Sequence, residues 1–266
     1  MKIGVFDSGI GGITVLEKAI EMLPSEDFIF YADTAHVPYG TKSEEEIRCY
    51  LDEVVSFMLA HNVEILVLAC NTATSAAVTY LRNKYDLEIL GMEPAVKVAK
   101  ESLKENKQDL IIVSATDLTL RLQKLENLIH RLEVDEHVMP LSLQQLVNFA
   151  ENGLFDGKEI AKYIQSAFKD VELKRVCAVV LGCTHFTYYK SFICNYLKTQ
   201  TGREIPVVDG NEGTVQNLVN KVKERMNPDL SSKKQVIQFF ESGKLVNSKK
   251  YLDLLALAHK ENSRGC

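Results

Sequence analysis

From end to end the chain alternates short, nearly continuous apolar runs with longer amphipathic segments, and few folds accept that pattern. The runs at 2–6, 27–31, 64–69, 109–113, 135–139, 175–181 and 206–208 are read as strands. The segments 12–22, 43–61, 73–84, 94–105, 117–131, 142–152, 157–169, 186–199 and 211–226 are read as helices. Near the C-terminus "QVIQFFES" reads as extended and "SKKYLDLLALAHK" as helical. Strands that are apolar along their length are buried on both faces, and alternation with helices implies parallel sheets covered on both sides. Ligands of such sheets bind just beyond the carboxyl ends of the strands. The residues that follow each strand are therefore the ones to inspect for chemistry.

Those residues are polar at five places. Asp7-Ser8-Gly9 follow the first strand, "ADTAHVPYG" (32–40) closes the second, and Cys70-Asn71-Thr72 follow the third. Ser114-Ala115-Thr116 follow the strand at 109–113, and Gly182-Cys183-Thr184-His185 follow that at 175–181. "VLACNTAT" and "VLGCTHFT" match in kind: strand, small residue, Cys, hydroxyl-bearing residues, then helix. Their cysteines lie 113 positions apart (183 − 70), and the first strand and the strand at 109–113 are offset by about the same distance. This reads as an internal duplication, two α/β halves each supplying one Cys at a strand end. If the halves face each other, both thiols enter one cleft from opposite sides.

Composition narrows the partners. At 266 residues there is length for one large or two small α/β domains. The net charge is −5 and no block of Lys or Arg stands out, which argues against a nucleic-acid or anionic-membrane surface. No leader-like pattern opens the sequence and no apolar run approaches a membrane span, so a cytoplasmic protein with reduced thiols is expected. The six cysteines form no C-x-x-C pair and no zinc-like cluster with His, so free thiols and no metal are expected. Cys49, Cys177, Cys194 and Cys266 are read as structural or incidental.

A thiol at a helix N-terminus gains from the local field, and both Cys70 and Cys183 precede an expected helix. One thiolate can take a proton from a carbon while a thiol on the opposite face returns one, which inverts configuration. Such a two-base racemase or epimerase needs no cofactor. Ser8, Asn71, Thr72, Thr116, Thr119 and Thr184 offer donors for a carboxylate, and Asp7 and His185 are titratable groups beside the presumed cleft. Taken singly, each has a plain structural reading. The segment "DSGIGG" can be a helix cap, "PYG" a turn, and His185 a satisfied surface side chain. The conjunction of polar strand ends carries the functional reading.

At these residues the chain resembles the glutamate racemases of the cofactor-independent aspartate/glutamate racemase superfamily. The matching segments are "IGVFDSGIGGITVL", "YADTAHVPYGTKS", "VLACNTATSAA", "GMEPAVKVA" and "LGCTHF", with "VVDG" and "FFESG" further on. The resemblance implies two pseudo-symmetric α/β domains with the site between them, residues 1–95 plus 208–266 and residues 96–207. It implies interconversion of L- and D-glutamate, with D-glutamate going into peptidoglycan. Cys70 would be the base toward D-glutamate and Cys183 toward L-glutamate, assisted by Asp7 and His185 respectively. Ser8, Pro38, Tyr39, Gly40, Asn71, Thr72, Thr116, Thr119, Thr184 and the two assisting groups would line the substrate site. Glu151 in "NFAENGLFDG" matches a family glutamate near the second Cys, although the usual "PLVEEG" form is altered. A homodimer is common in the family. The segment "ATDLT" keeps both threonines of a Gly-Thr-x-Gly-Thr pattern and loses both glycines, and a Ser and a Tyr that often follow are missing.

Two other readings stay open. One is a racemase for aspartate or another acidic amino acid, and one is a non-catalytic binding protein for such a ligand. A thiol hydrolase built on Cys183 and His185 is disfavoured, because a nucleophile and its base usually come from separate elements.

Overall fold

In the computed structural model, residues 1–104, 108–225 and 235–263 are described. Cys266 and the final residues of the helices expected at 94–105 and 211–226 lie outside them. The expected α/β class with mainly parallel sheets is what the chain forms.

The first sheet is built from β1 (Lys2–Asp7), β2 (Asp27–Ala32), β3 (Ile65–Leu68), β4 (Glu88–Gly91), β9 (Ile237–Glu241) and β10 (Lys244–Leu245), in the order β10-β9-β2-β1-β3-β4. Only the β9–β10 hairpin is antiparallel. The second sheet holds β5 (Leu110–Ala115), β6 (Val138–Ser142), β7 (Val176–Leu181) and β8 (Val207–Asp209), parallel throughout in the order β6-β5-β7-β8. Side chains of β1, β3, β5 and β7 are almost wholly buried, as two-sided burial by helices requires.

Strand order locates the chemistry. In the first sheet the chain steps from β1 to β2 on one side, then back past β1 to β3 and β4 on the other. In the second it steps from β5 to β6 and back to β7 and β8. The order reverses at β1/β3 and at β5/β7, and a crevice opens at the carboxyl ends of strands where order reverses. Asp7, Cys70, Thr116 and Cys183 stand at or just after the ends of those four strands.

The helices are α1 (Ile13–Met22), α2 (Glu44–Ala60), α3 (Asn71–Lys84), α4 (Val96–Lys100), α5 (Asp117–Arg121), α6 (Gln123–Arg131), α7 (Gln144–Glu151), α8 (Lys158–Ala167), α9 (Lys190–Thr201), α10 (Asn211–Arg225) and α11 (Lys249–Asn262). α2 starts on a capping box in which Ser43 Oγ accepts from Glu46 N and Glu46 Oε2 accepts from Ser43 N. α11 returns to the first half and ties onto α1 through His259 to Glu17 (2.7 Å) and Asn262 Nδ2 to the Thr14 carbonyl (3.0 Å).

Several boundaries differ from the sequence reading. β4 was not expected: its buried residues are only Ile89 and Leu90, too short a run to register. β6 begins three residues later than expected because Asp135–His137 forms a 3-10 turn. The helix expected at 117–131 breaks at Leu122, which is extended. The break lets Leu118 and Leu122 pack with Tyr39 and Cys70, while Leu125 and Leu128 pack on β5 and β7. The helix expected over 94–105 shrinks to α4, and that expected from 186 begins as a 3-10 turn over Thr184–Tyr189 before α9. Among the described residues no helix is long and apolar enough to cross a membrane. Cys49, Cys70, Cys177 and Cys183 are free. Cys194, half-buried on α9, is disulfide-bonded, which corrects the expectation of free thiols throughout.

Candidate functional site

The turn after β1 contains three glycines, each with a neighbour too close for an added Cβ, and at Gly11 that neighbour includes backbone. A Cβ on Gly11 would lie 2.8 Å from the His185 backbone nitrogen and would collide with Thr184 Oγ1 and His185 Nδ1. The first half can therefore press against the segment after β7. Asp7 uses that contact: Oδ2 accepts from Thr184 Oγ1 (2.8 Å) and Oδ1 accepts from Gly9 N (2.8 Å). "DSGIGG" is not a side-chain cap, since the N-cap of α1 is Gly12, which makes no side-chain bond.

Cys70 is the N-cap of α3. Its Sγ accepts from Ala73 N (3.4 Å) and lies 3.7 Å from Ser8 Oγ, which in turn reaches Asp7 Oδ1 (3.4 Å). Burial and the Asp7 charge push the Cys70 thiol up to about 12, more than the Ala73 and Ser8 bonds lower it. The sequence expectation that the helix terminus favours a thiolate here is corrected: the donor is present, but desolvation outweighs it. Burial likewise raises Asp7, against the opposing charge of His185.

Cys183 has different company. Its Sγ lies 3.8 Å from His185 Nδ1, and the far nitrogen, Nε2, is 2.6 Å from Glu151 Oε1. The tight 3-10 turn lets residues only two apart meet, so the objection that Cys183 and His185 are too close in sequence to pair does not hold. Cys183 is followed by that turn and not by an α-helix, and its side chain makes no cap bond. Burial disfavours a charged His185, yet its bonds to Cys183 and Glu151 overcome this and hold the imidazole well above its ordinary range. Glu151 is held below the usual carboxylate range despite burial, by His185 and by Ile10 N–H, which donates to Oε1 at 2.8 Å. His185 and Glu151 thus form an ion pair behind Cys183, and Tyr188, whose hydroxyl donates to the Ile10 carbonyl (2.9 Å), holds the same turn from below. The two thiols are close enough for charge on Cys183 to raise Cys70.

Around the thiols the hydroxyls cluster. Thr72 Oγ1 is 3.0 Å from both Thr116 Oγ1 and Thr119 Oγ1, and Thr116 donates to Thr119 at 2.9 Å, a closed ring that joins α3 to the segment after β5. Gly40 is buried against Thr116: a Cβ there would be 2.9 Å from Thr116 Cβ and 2.6 Å from Gln144 Oε1. Tyr39 is buried and its hydroxyl donates to Asp33 Oδ2 (2.7 Å), while Pro38 is half-buried at the start of the same turn. Asn71 Nδ2 reaches Met92 Sδ (3.2 Å), and Asn71 Oδ1 is buried with no partner.

The structure thus brings together Asp7, Ser8, Cys70, Cys183, Thr184, His185 and Glu151 by direct bonds, and Thr72, Thr116, Thr119 and Gly40 in an adjoining cluster. Sequence reasoning missed Asp33 and Gln144. Asp33 lies within "ADTAHVPYG", already marked as a polar strand end without Asp33 being singled out, and Gln144 lies two residues after β6, where the same rule applies. A cavity of about 780 Å³ lies elsewhere, lined by Lys18, Glu93, Lys190 and Asp209 among others. It contains no thiol, and the chemistry singles out the thiol cluster instead. Among the described residues no group of His, Cys, Asp and Glu could hold a metal ion.

The chain is similar to known proteins along most of its length. Residues 3–218 match the Asp/Glu/Hydantoin racemase family. A glutamate racemase of Halothermothrix orenii is 43% identical over 257 residues, 96% of this chain and 99% of that protein. Glutamate racemase 2 of Bacillus subtilis is 42% identical over 91% of this chain and 89% of that protein. The crystal structure of glutamate racemase from Thermus thermophilus, in complex with β-chloro-D-alanine, superposes with a TM-score of 0.76 at 28% identity, covering 96% of this chain and 92% of that one.

Proposed function

The chain belongs to the Asp/Glu/Hydantoin racemase family, and from that premise we propose that it interconverts L- and D-glutamate by proton transfer between two thiols and the α-carbon. The observation that carries the reading is the pair of buried thiols with unlike partners, Cys70 beside Ser8 and Asp7, Cys183 beside the His185–Glu151 ion pair. Each sits at the strand-order reversal of its own sheet, and we take the sheets as two domains, 1–95 plus 208–266 and 96–207, that part and close on the substrate.

On this reading Cys183 takes the α-proton of L-glutamate and Cys70 delivers one to the opposite face; the reverse reaction starts at Cys70. The resting state favours the first direction. Cys70, pushed up to about 12, holds its proton at neutral pH and can donate it, whereas Cys183 faces an imidazole kept positive by Glu151. Asp7 assists Cys70 and His185 assists Cys183 in recycling these protons. The α-proton is far less acidic than a thiol, so the carbanion needs donors at its carboxylate and exclusion of water. The threonine ring meets the first need: each hydroxyl brings one donor, and a carboxylate entering there takes a donor that otherwise closes the ring. Asn71 Oδ1, buried and unpartnered, is an acceptor for the substrate ammonium. Ser8, Thr184 and the Pro38–Gly40 turn complete the walls. The product serves peptidoglycan synthesis in the cytoplasm, and no added cofactor is needed.

The test is polarimetry of purified protein with L-glutamate and nothing else added. Decay of rotation to zero is expected. Decay with L-aspartate but not L-glutamate would move the substrate assignment. A static signal with both would leave a binding protein.

A further inference from the structure

We propose that Asp33 and Ser242 are positioning residues for the substrate site, tying the turn that carries Tyr39 and Gly40 to the C-terminal hairpin; this rests on the racemase reading above. Asp33 directly follows β2 and is 3% exposed. Burying a carboxylate is costly unless every oxygen is paired, and its partners all belong to one device. Oδ2 accepts from Tyr39 Oη (2.7 Å) and lies 2.8 Å from His36 Nδ1; Oδ1 accepts from Ser242 Oγ (3.0 Å). Ser242 Oγ in turn accepts from Ala35 N (2.9 Å), and Ser242 N donates to the Ala32 carbonyl (2.8 Å).

The bonds reach three and six residues along the chain and across to a residue 209 positions later. A carboxylate that merely finished a strand would need no such reach. Ser242 also stands at φ 42°, a left-handed conformation uncommon for a residue with a side chain. That conformation occurs where the hairpin meets Asp33. What the tie fixes is the turn after Pro38, which places Gly40 against Thr116 of the second sheet's half. Asp33 and Ser242 thus act through Tyr39 and Gly40 and are not themselves placed against the reacting atoms. The hairpin strand β9 pairs with β2, so the C-terminal segment is required to build a substrate wall whose sequence lies two hundred residues earlier.

Two arms test this on full-length Asp33→Asn and Ser242→Ala. The first is amide hydrogen exchange without ligand, which does not depend on the reaction. The Ala35 amide and the 36–41 segment are expected to exchange about tenfold faster in Ser242→Ala, because that amide loses its acceptor. The second is steady-state racemisation in both directions. KM for glutamate is expected to rise about tenfold in each variant with kcat within about twofold, the signature of lost substrate placement. Unchanged exchange overturns the tie. Faster exchange with unchanged KM, or a fall in kcat at constant KM, overturns the role at the substrate site. If Asp33→Asn does not fold, Ser242→Ala decides both arms. If the unmodified protein turns over no acidic amino acid, the racemase reading fails and the exchange arm alone decides whether the tie exists.

Discussion

Cys70 and Cys183 are the same residue type in unlike settings, and the difference predicts their behaviour. Burial and Asp7 push Cys70 up to about 12. The thiolate is the reactive form, so alkylation of Cys70 by iodoacetamide should accelerate about tenfold per pH unit from pH 8 to pH 11. A plateau near pH 9, read by mass spectrometry with exposed Cys49 as the internal reference, would contradict the assignment. Cys70→Ser and Cys183→Ser should each lower kcat about 10²–10⁴-fold, the range of a positioned proton carrier. Near-normal turnover in either would remove that thiol from the chemistry. The His185–Glu151 pair carries a stability prediction with a definite sign. His185 is raised, so its contribution is complete below its ordinary 6.5 and is lost as pH rises through its folded value. Glu151 is lowered, so its contribution is complete above its ordinary 4.5 and is lost as pH falls through its folded value. The stability gap between the unmodified protein and Glu151→Gln, measured by urea unfolding, should therefore be widest between pH 4.5 and 6.5. It should reach about 3 kcal/mol, the low end for breaking a buried pair, because Glu151 keeps some exposure. A gap that grows above pH 8 would contradict the pairing.

At the scale of elements, glycines separate packing from propensity. Gly11 joins β1 to α1 and has no room for a methyl group beside Thr184 and His185. Gly11→Ala should lower kcat/KM at least about 100-fold by prising Asp7 from Thr184. Gly213 lies in the first turns of α10, exposed, with nothing within 4 Å of an added Cβ. Gly213→Ala should stabilise by about 0.5–1 kcal/mol and leave turnover unchanged. Thermal unfolding and steady-state rates check both, and equal effects would mean the turn after β1 is not a packed junction. The same contrast explains what the sequence made legible. Apolar runs mark β1, β3, β5 and β7, and the polar residues at the ends of those strands include Asp7, Cys70, Thr116 and Cys183. What stayed hidden is tertiary. Nothing local shows that Leu122 breaks a helix to serve two cores, that the turn after Cys183 is 3-10 and folds His185 back onto it, or that Ser242 reaches Asp33. Desolvation, which reverses the expected ease of ionising Cys70, also depends on neighbours far apart in sequence.

For the whole molecule the account requires opening. Cys70 and Cys183 are 6% and 8% exposed, and Asp7, which bonds across to Thr184, is fully buried. On the proposed mechanism, substrate and alkylating agents enter when the halves part, and bound glutamate should hold them together. Saturating D-glutamate should therefore slow alkylation of both thiols at least about tenfold while leaving Cys49 unaffected. The central claim, that two thiols act on opposite faces of one carbon, is tested most directly by incubating the reduced protein with L-glutamate in D₂O and sampling before one tenth of the substrate has reacted. Each thiol would carry solvent deuterium on its own face. The account predicts that the D-glutamate formed contains α-deuterium in almost every molecule while the remaining L-glutamate keeps its α-protium. Deuterium entering the L-glutamate pool as fast as D-glutamate appears, or D-glutamate that retains protium, would mean a single shared base and would contradict it.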